Sequence, residues 1–226
     1  KKLLVPDDKK TRPLKDLGKE SLFNIIKHSK KFKLIIEDSN VLDLFAGVGS
    51  FGLEAISRGA NRAVFVENYS NVLTILKKNI NNLNTNSKCE VLEKDVFNNF
   101  NFGQLSQCFD IIYLDPPYDE KNISLIITKI YKSKILKPEG VLILHRHKNE
   151  DDEFLDEFNI IEEKKYGISK IIFGNYLWLN SFLVSVLINS TEGWSKAFTF
   201  KHLPKRIVSK IKKQNNSPKV FSFLKS

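Results

Sequence analysis

Two short stretches carry residues whose types and spacing can do chemistry. The first, FDIIYLDPPY over 109–118, is an apolar run that stops on Asp115, Pro116, Pro117 and Tyr118. Two prolines remove two backbone donors and cannot continue a central strand. They also push the residue before them to extended geometry. The result is a stiff strand end with free carbonyls, a carboxylate and an aromatic face. An aromatic amine is a poor nucleophile because its lone pair is delocalised into the ring. Acceptors on its N–H groups, here the Asp115 carboxylate and the Pro116 carbonyl, draw that lone pair out, and Tyr118 offers a face for the base. The bland alternative is a rigid turn after a buried strand.

The second stretch is NVLDLFAGVGSFG, in which Gly47, Gly49 and Gly52 fit G-x-G-x-x-G between a strand and a helix. Such glycines permit a tight turn and close backbone approach to a ligand at a helix N-terminus. Glu67 closes the next strand, twenty residues after Gly47, where a carboxylate can accept both hydroxyls of a ribose. In a dinucleotide site the loop meets a pyrophosphate. Asp43 lies four residues before Gly47; an acid there disfavours a pyrophosphate and suits the cationic S-adenosylmethionine. Asp95, just past the third strand, is placed for an adenine amino group or is an ordinary turn residue.

These residues need a scaffold, and its period is legible. A helix is expected from about Asp16, its cap, to Ser29, with Leu22, Phe23, Ile25 and Ile26 inward. Strands follow at Asn40–Phe45, Arg62–Val66, Cys89–Leu92, Phe109–Leu114 and Gly140–Leu144, with helices at Ser50–Arg58, Ser70–Leu83 and Asn122–Ile135. Asn159–Lys164 and Lys170–Phe173 read as a closing hairpin around Tyr166-Gly167. Short apolar strands alternating with helices imply βαβ units and a parallel sheet covered on both faces. In such a sheet, ligands sit at the carboxyl ends of the strands, at the switch point. That puts the proline motif beside the glycine loop. KKLLV at the start reads as the end of a strand.

The chain has 226 residues, 42% hydrophobic, enough for one domain and an appendage. Cys89 and Cys108 form no CxxC pair, so neither a disulfide framework nor a zinc site is readable, and a reducing, cytoplasmic setting is expected. The apolar run Tyr176–Ile188 is too short to span a bilayer. With no methionine in the chain, missing first residues are expected. Net charge is +10, of which +8 lies from Ser181 onward, where nine Lys/Arg face one acid, Glu192. A basic tail attracts polyanions. Trp194, Phe198, Phe200 and Lys201 interleave aromatic and basic groups there; the alternatives are a dispensable extension or a read-through artefact.

TRPLKDLGKESLFNII, VLDLFAGVGSFGLEAISRGA, VFVEN, LEKDVF, LDPPY and YGISKIIFG occur in this order. Together they resemble the bacterial 16S ribosomal RNA guanine-N2 methyltransferases of the RsmD type. The Arg12-Pro13 segment is the most discriminating part. The resemblance covers roughly Lys1–Tyr176 and implies an α/β, doubly wound, mostly parallel seven-stranded sheet with a terminal antiparallel hairpin. This is the Rossmann-like class I methyltransferase fold, expected over 1–176, with a basic extension over 177–226. It implies S-adenosylmethionine as cofactor and one guanine N2 of 16S rRNA in the small subunit as target; no metal is expected, and a monomer is the default expectation. By position, Asp43, Phe45, Gly47, Gly49, Glu67, Asn68, Asp95 and Val96 would hold the cofactor. Asp115, Pro116 and Tyr118 would act on the guanine. Arg12, Pro13 and Lys15 would meet RNA.

Departures are specific. Where the family usually reads Arg-Pro-Thr-Thr-Asp-Arg, this chain has Arg12-Pro13-Leu14-Lys15-Asp16-Leu17; two hydroxyls and an arginine are gone, and Lys15 is left for a phosphate contact. Gly18 replaces a helix former at about 1 kcal/mol. Other functions stay open: adenine-N6 methylation, an NAD oxidoreductase, or a non-catalytic RNA-binding assembly factor. His145-Arg146-His147 ends the fifth strand, as a phosphate contact or, by preference, a solvated strand end. Cys89 and Cys108 are expected as small core residues.

Overall fold

The computed structural model describes residues 2–6, 16–32, 34–98 and 100–177. Arg12, Pro13, Lys15, the capping side chain of Asp16 and the extension from residue 178 onward lie outside the described residues. The elements are α1 (Asp16–His28), β1 (Asn40–Leu44), α2 (Ser50–Ser57), β2 (Arg62–Glu67), α3 (Ser70–Asn82), β3 (Cys89–Glu93), β4 (Phe109–Leu114), α4 (Ile123–Ser133), β5 (Leu136–His147), β6 (Phe158–Tyr166) and β7 (Ser169–Tyr176). They build one seven-stranded sheet in the order β3-β2-β1-β4-β5-β7-β6. The pairs among β3, β2, β1, β4 and β5 are parallel. β7 runs antiparallel against β5 and β6. The expected doubly wound sheet with its closing hairpin is present, and its order reverses between β1 and β4.

One face of the sheet packs α1 and α2. Leu22, Phe23 and Ile26 on α1, Phe51 and Leu53 on α2, and Val41, Ile111, Tyr113, Val141 and Ile143 on the strands share a core cluster. Within it Phe23 stacks on Phe51 at 5.1 Å, and Phe51 on Tyr113 at 4.1 Å. Offset aromatic stacks of this kind are worth about 0.5–1.5 kcal/mol beyond area burial. This chain of rings ends two residues before Asp115 and fixes the end of β4.

Three expectations are corrected. β5 starts at Leu136, four residues before the expected Gly140. Phe109 pairs with Leu136 and Ile111 with Val141, so Lys137–Gly140 bulge out and accommodate Pro138. Residues 2–6 are not a strand. Leu4 N–H donates to Asn79 Oδ1 at 2.8 Å and its carbonyl accepts from Asn79 Nδ2, so a side chain takes the place of a strand partner. Of the two cysteines, Cys89 is half-buried and Cys108 is exposed, because Cys108 sits in the loop leading to β4 rather than on a covered face.

Candidate active site

The glycine loop is shaped by backbone geometry and held by two carboxylates. Gly47 has φ +55° and a Cβ there would meet nothing within 4 Å. Its lack of a side chain serves the left-handed backbone and leaves the space above the loop open. Gly49, left-handed as well at φ +83°, and Gly52 also serve packing. A Cβ at Gly49 would come within 2.5 Å of Leu76 Cδ1, and one at Gly52 within 2.4 Å of the Phe65 ring. Phe45, at the end of β1, also has positive φ, +61°, and its ring lies 5.4 Å from that of Phe97. A bulky residue held left-handed is uncommon outside functional sites, and the surrounding structure must hold it there.

Asp43 is 1% exposed and Oδ2 accepts from Gly52 N–H at 2.9 Å. Burial pushes its carboxyl well above the usual range, more than the Gly52 hydrogen bond lowers it; Asp115 and Glu67 add repulsion. Asp43 thus ties β1 to the start of α2. Glu67 Oε2 accepts from Gly47 N–H at 2.8 Å, while Oε1 takes the N–H groups of Asn68 and Tyr69, both at 2.9 Å. Glu67 therefore closes the glycine loop onto the end of β2, with acceptor capacity left on Oε2. Asp95 is the hinge of the turn after β3. Its Oδ1 accepts from Phe97 N–H at 2.8 Å and its Oδ2 from Asn98 Nδ2 at 2.8 Å. Burial acts upward on this carboxyl, but hydrogen bonds from Asn98, Phe97 and Asn68 outweigh it and hold it below the usual range. Asn68 and Asp95 are thereby brought together, and Val96 behind them is buried.

The strand end Asp115–Tyr118 is brought beside this loop, since Asp115 N–H donates to the Leu44 carbonyl at 3.3 Å. Asp115 Oδ1 bonds His145 Nδ1 at 2.8 Å, and Oδ2 accepts from the Tyr113 hydroxyl at 3.4 Å. Burial first, then the Asp115 and Asp43 charges, push the Tyr113 phenol well above its ordinary range, so it stays a donor. Tyr118 bonds Ser169 Oγ at 2.8 Å, and its ring lies edge-on to those of His145 (5.8 Å) and His147 (5.5 Å).

The 145–147 segment is the largest departure from the sequence reading. His145 is 7% exposed and Arg146 is fully buried; neither is a solvated strand end. Arg146 donates to the carbonyls of Pro117 (3.2 Å) and Glu120 (2.7 Å) and pairs with Asp152 at 3.1 Å. Its rigid fork thus clamps the proline loop from below. Asn79 was also missed. Besides Leu4, its Nδ2 donates to the Val48 carbonyl at 3.1 Å, bracing the glycine loop. Among the described residues no group of His, Cys, Asp and Glu could hold a metal, and no helix is long and apolar enough to cross a membrane.

Sheet order, glycine loop and acid-Pro-Pro-aromatic strand end define a Rossmann-like methyltransferase fold. The chain belongs to the family described as Conserved hypothetical protein 95, whose model matches residues 1–175. The resemblance read from the motifs is borne out. A relative from Haemophilus influenzae, named Ribosomal RNA small subunit methyltransferase D, is 32% identical over 173 residues, covering 74% of this chain and 84% of that protein. A namesake from Buchnera aphidicola is 26% identical, covering 79% and 87%. The solved structure of yhhF from Escherichia coli superposes with a TM-score of 0.65 at 26% identity, covering 78% of this chain and 92% of that one.

Proposed function

We propose that this chain transfers a methyl group from S-adenosylmethionine to the exocyclic N2 of one guanine in the 16S RNA of the small ribosomal subunit, with 1–176 as the catalytic domain. The observation that carries the reading is Asp115, fixed between His145 and Tyr113 at the end of β4 and hydrogen-bonded through its N–H to β1 beside the glycine loop. The name of two relatives, Ribosomal RNA small subunit methyltransferase D, supports small-subunit ribosomal RNA as the substrate class.

The residues fit the cofactor. Open space lies above Gly47, and Asp43, Glu67 and Asp115 lie close enough for Asp43 to feel both other charges. Such a cleft suits a cation. It disfavours the pyrophosphate of a dinucleotide, because Glu67 already takes the Gly47 N–H that a phosphate would need. The bound cofactor would supply a sulfonium methyl that leaves behind a neutral thioether. Gly47 and Phe45 border its cleft, Glu67 keeps an acceptor for a ribose hydroxyl, and Asn68, Asp95 and Val96 form the far wall. Asp115 and the Pro116 carbonyl accept the two N–H groups of the guanine amine and free its lone pair for in-line attack; the amine then sheds one proton toward Asp115. Tyr118 stacks the base. Positioning and electrostatics supply most of the rate.

The test is transfer of label from S-adenosylmethionine to small subunits of a strain lacking this methylation, beside naked rRNA, DNA and an Asp115→Ala variant. The expected product is N2-methylguanine at one position, absent with the variant although S-adenosylhomocysteine still shifts its unfolding temperature. Label on adenine N6 would move the substrate to the alternative. A thermal shift with NADH but none with S-adenosylhomocysteine would overturn methyl transfer altogether.

A further inference from the structure

The parallel strands end level: Leu44 pairs with Leu114, and Leu114 with Leu144. β5 runs on for three more residues to His147, and the β6–β7 hairpin runs on beside it. At roughly 3.3 Å per residue this extension stands about 10 Å above the strand ends. It is one wall of the cleft, and one face of it is chemically distinct. His147 lies two residues beyond His145 and so shares the face that meets Asp115. Ser169 pairs with His147, and Tyr166 pairs with Ser169, continuing the row across three strands. Tyr118 closes the inner end of the row through Ser169 and the His147 ring. Tyr166 ends the outer side and is 38% exposed.

The charge on this face is positive. Lys164, two residues before Tyr166, shares the Glu162 carboxylate with Lys31, at 3.1 and 3.3 Å, so two cations meet one acid. Burial acts upward on Glu162, but those two lysines hold its carboxyl below the usual range. Lys165 belongs to the opposite face, beside Glu163.

We infer that this wall is a binding ledge for the single-stranded RNA that flanks the target nucleotide, an inference that rests on the rRNA reading. A target base must leave its stack to reach a methyl donor in a cleft, so the neighbouring nucleotides need a support of their own. Aromatic and imidazole rings in a row, flanked by a basic rim, bind single strands by stacking and phosphate contact without reading sequence. Tyr166 and His147 take a flanking base, and Lys164 with Lys31 takes the phosphate beside it.

The test compares Tyr166→Ala and Lys164→Gln with the opposite-face control Lys165→Gln, in the full chain, using small subunits as substrate and a fluorescent single-stranded fragment of 16S RNA as direct ligand. Each ledge variant is expected to weaken RNA affinity and raise KM for subunits by about 5- to 10-fold. kcat, S-adenosylhomocysteine affinity and unfolding temperature stay unchanged, and Lys164→Gln flattens the salt dependence. Values within twofold of the unaltered protein in both ledge variants, or an equal loss in Lys165→Gln, overturn the ledge while leaving the rRNA reading intact. An unaltered protein that binds S-adenosylhomocysteine and methylates no small subunit overturns both.

Discussion

Arg146→Met tests whether the proline loop is held from below by a buried cation. The guanidinium is fully buried and makes two hydrogen bonds to loop carbonyls, at 2.7 and 3.2 Å, together with its pairing to Asp152. The Asp152 side chain is itself buried. Methionine fills much of the volume but leaves that carboxylate without its guanidinium and the Glu120 carbonyl without its Arg146 donor, while the Pro117 carbonyl keeps only the Glu120 N–H at 3.1 Å. Removing one partner of a buried pair costs about 3–5 kcal/mol, whereas removing both together is far milder. For a domain of this size each kcal/mol moves the unfolding midpoint by about 2–4 °C, so a fall of about 6–20 °C is expected. The double variant Arg146→Met/Asp152→Asn is expected to recover about half of it. Thermal unfolding followed by circular dichroism measures both. Methyl transfer should fall with kcat rather than with cofactor affinity, since the clamp touches Pro117 and Glu120 and not the glycine loop. A drop below about 1 kcal/mol, or a double variant less stable than the single, would refute the clamp.

Four further outcomes follow from the same geometry. His145→Asn keeps a donor toward Asp115 and is expected to retain more kcat than His145→Ala, which should lose about 10-fold or more at unchanged cofactor affinity, read from steady-state kinetics. Gly52→Ala places a methyl group against the Phe65 ring and should cost about 1–3 kcal/mol in denaturant unfolding. Gly47→Ala meets no atoms and should cost only the left-handed backbone, about 1–2 kcal/mol, while weakening S-adenosylhomocysteine binding measured by calorimetry. Asp43 is held above its unfolded range by burial, so its contribution is complete below about pH 4 and is lost as pH rises through the folded value. Asp43→Asn, which keeps an acceptor for Gly52, should therefore gain stability relative to the unaltered protein at pH 8 and little at pH 4.

The features legible in the sequence are those whose physics is local. Two consecutive prolines end β4 wherever the chain goes, and the glycine spacing demands a left-handed turn at Gly47 before α2. Alternating apolar runs and amphipathic stretches give the order of strands and helices to within a few residues, except where the Lys137–Gly140 bulge hides the start of β5. Asp115 and Glu67 stand out by type and position, and the structure adds what holds each in place. His145-Arg146-His147 looked like polar residues at a strand end because nothing within six residues of Arg146 announces Pro117 or Glu120 as partners. Those contacts span 29 and 26 residues and exist only after β5 docks beside β4. Asn79 braces Leu4 and Val48 across 75 and 31 residues. Sequence alone determined the turn chemistry, the element order and the position of the candidate site groups, because each follows from backbone geometry and side-chain type within a few residues. Tertiary structure alone decided which charges are buried, which carboxylates are already occupied and which face of the hairpin meets the cleft, because burial and hydrogen-bond partnership belong to pairs of residues brought together by the sheet.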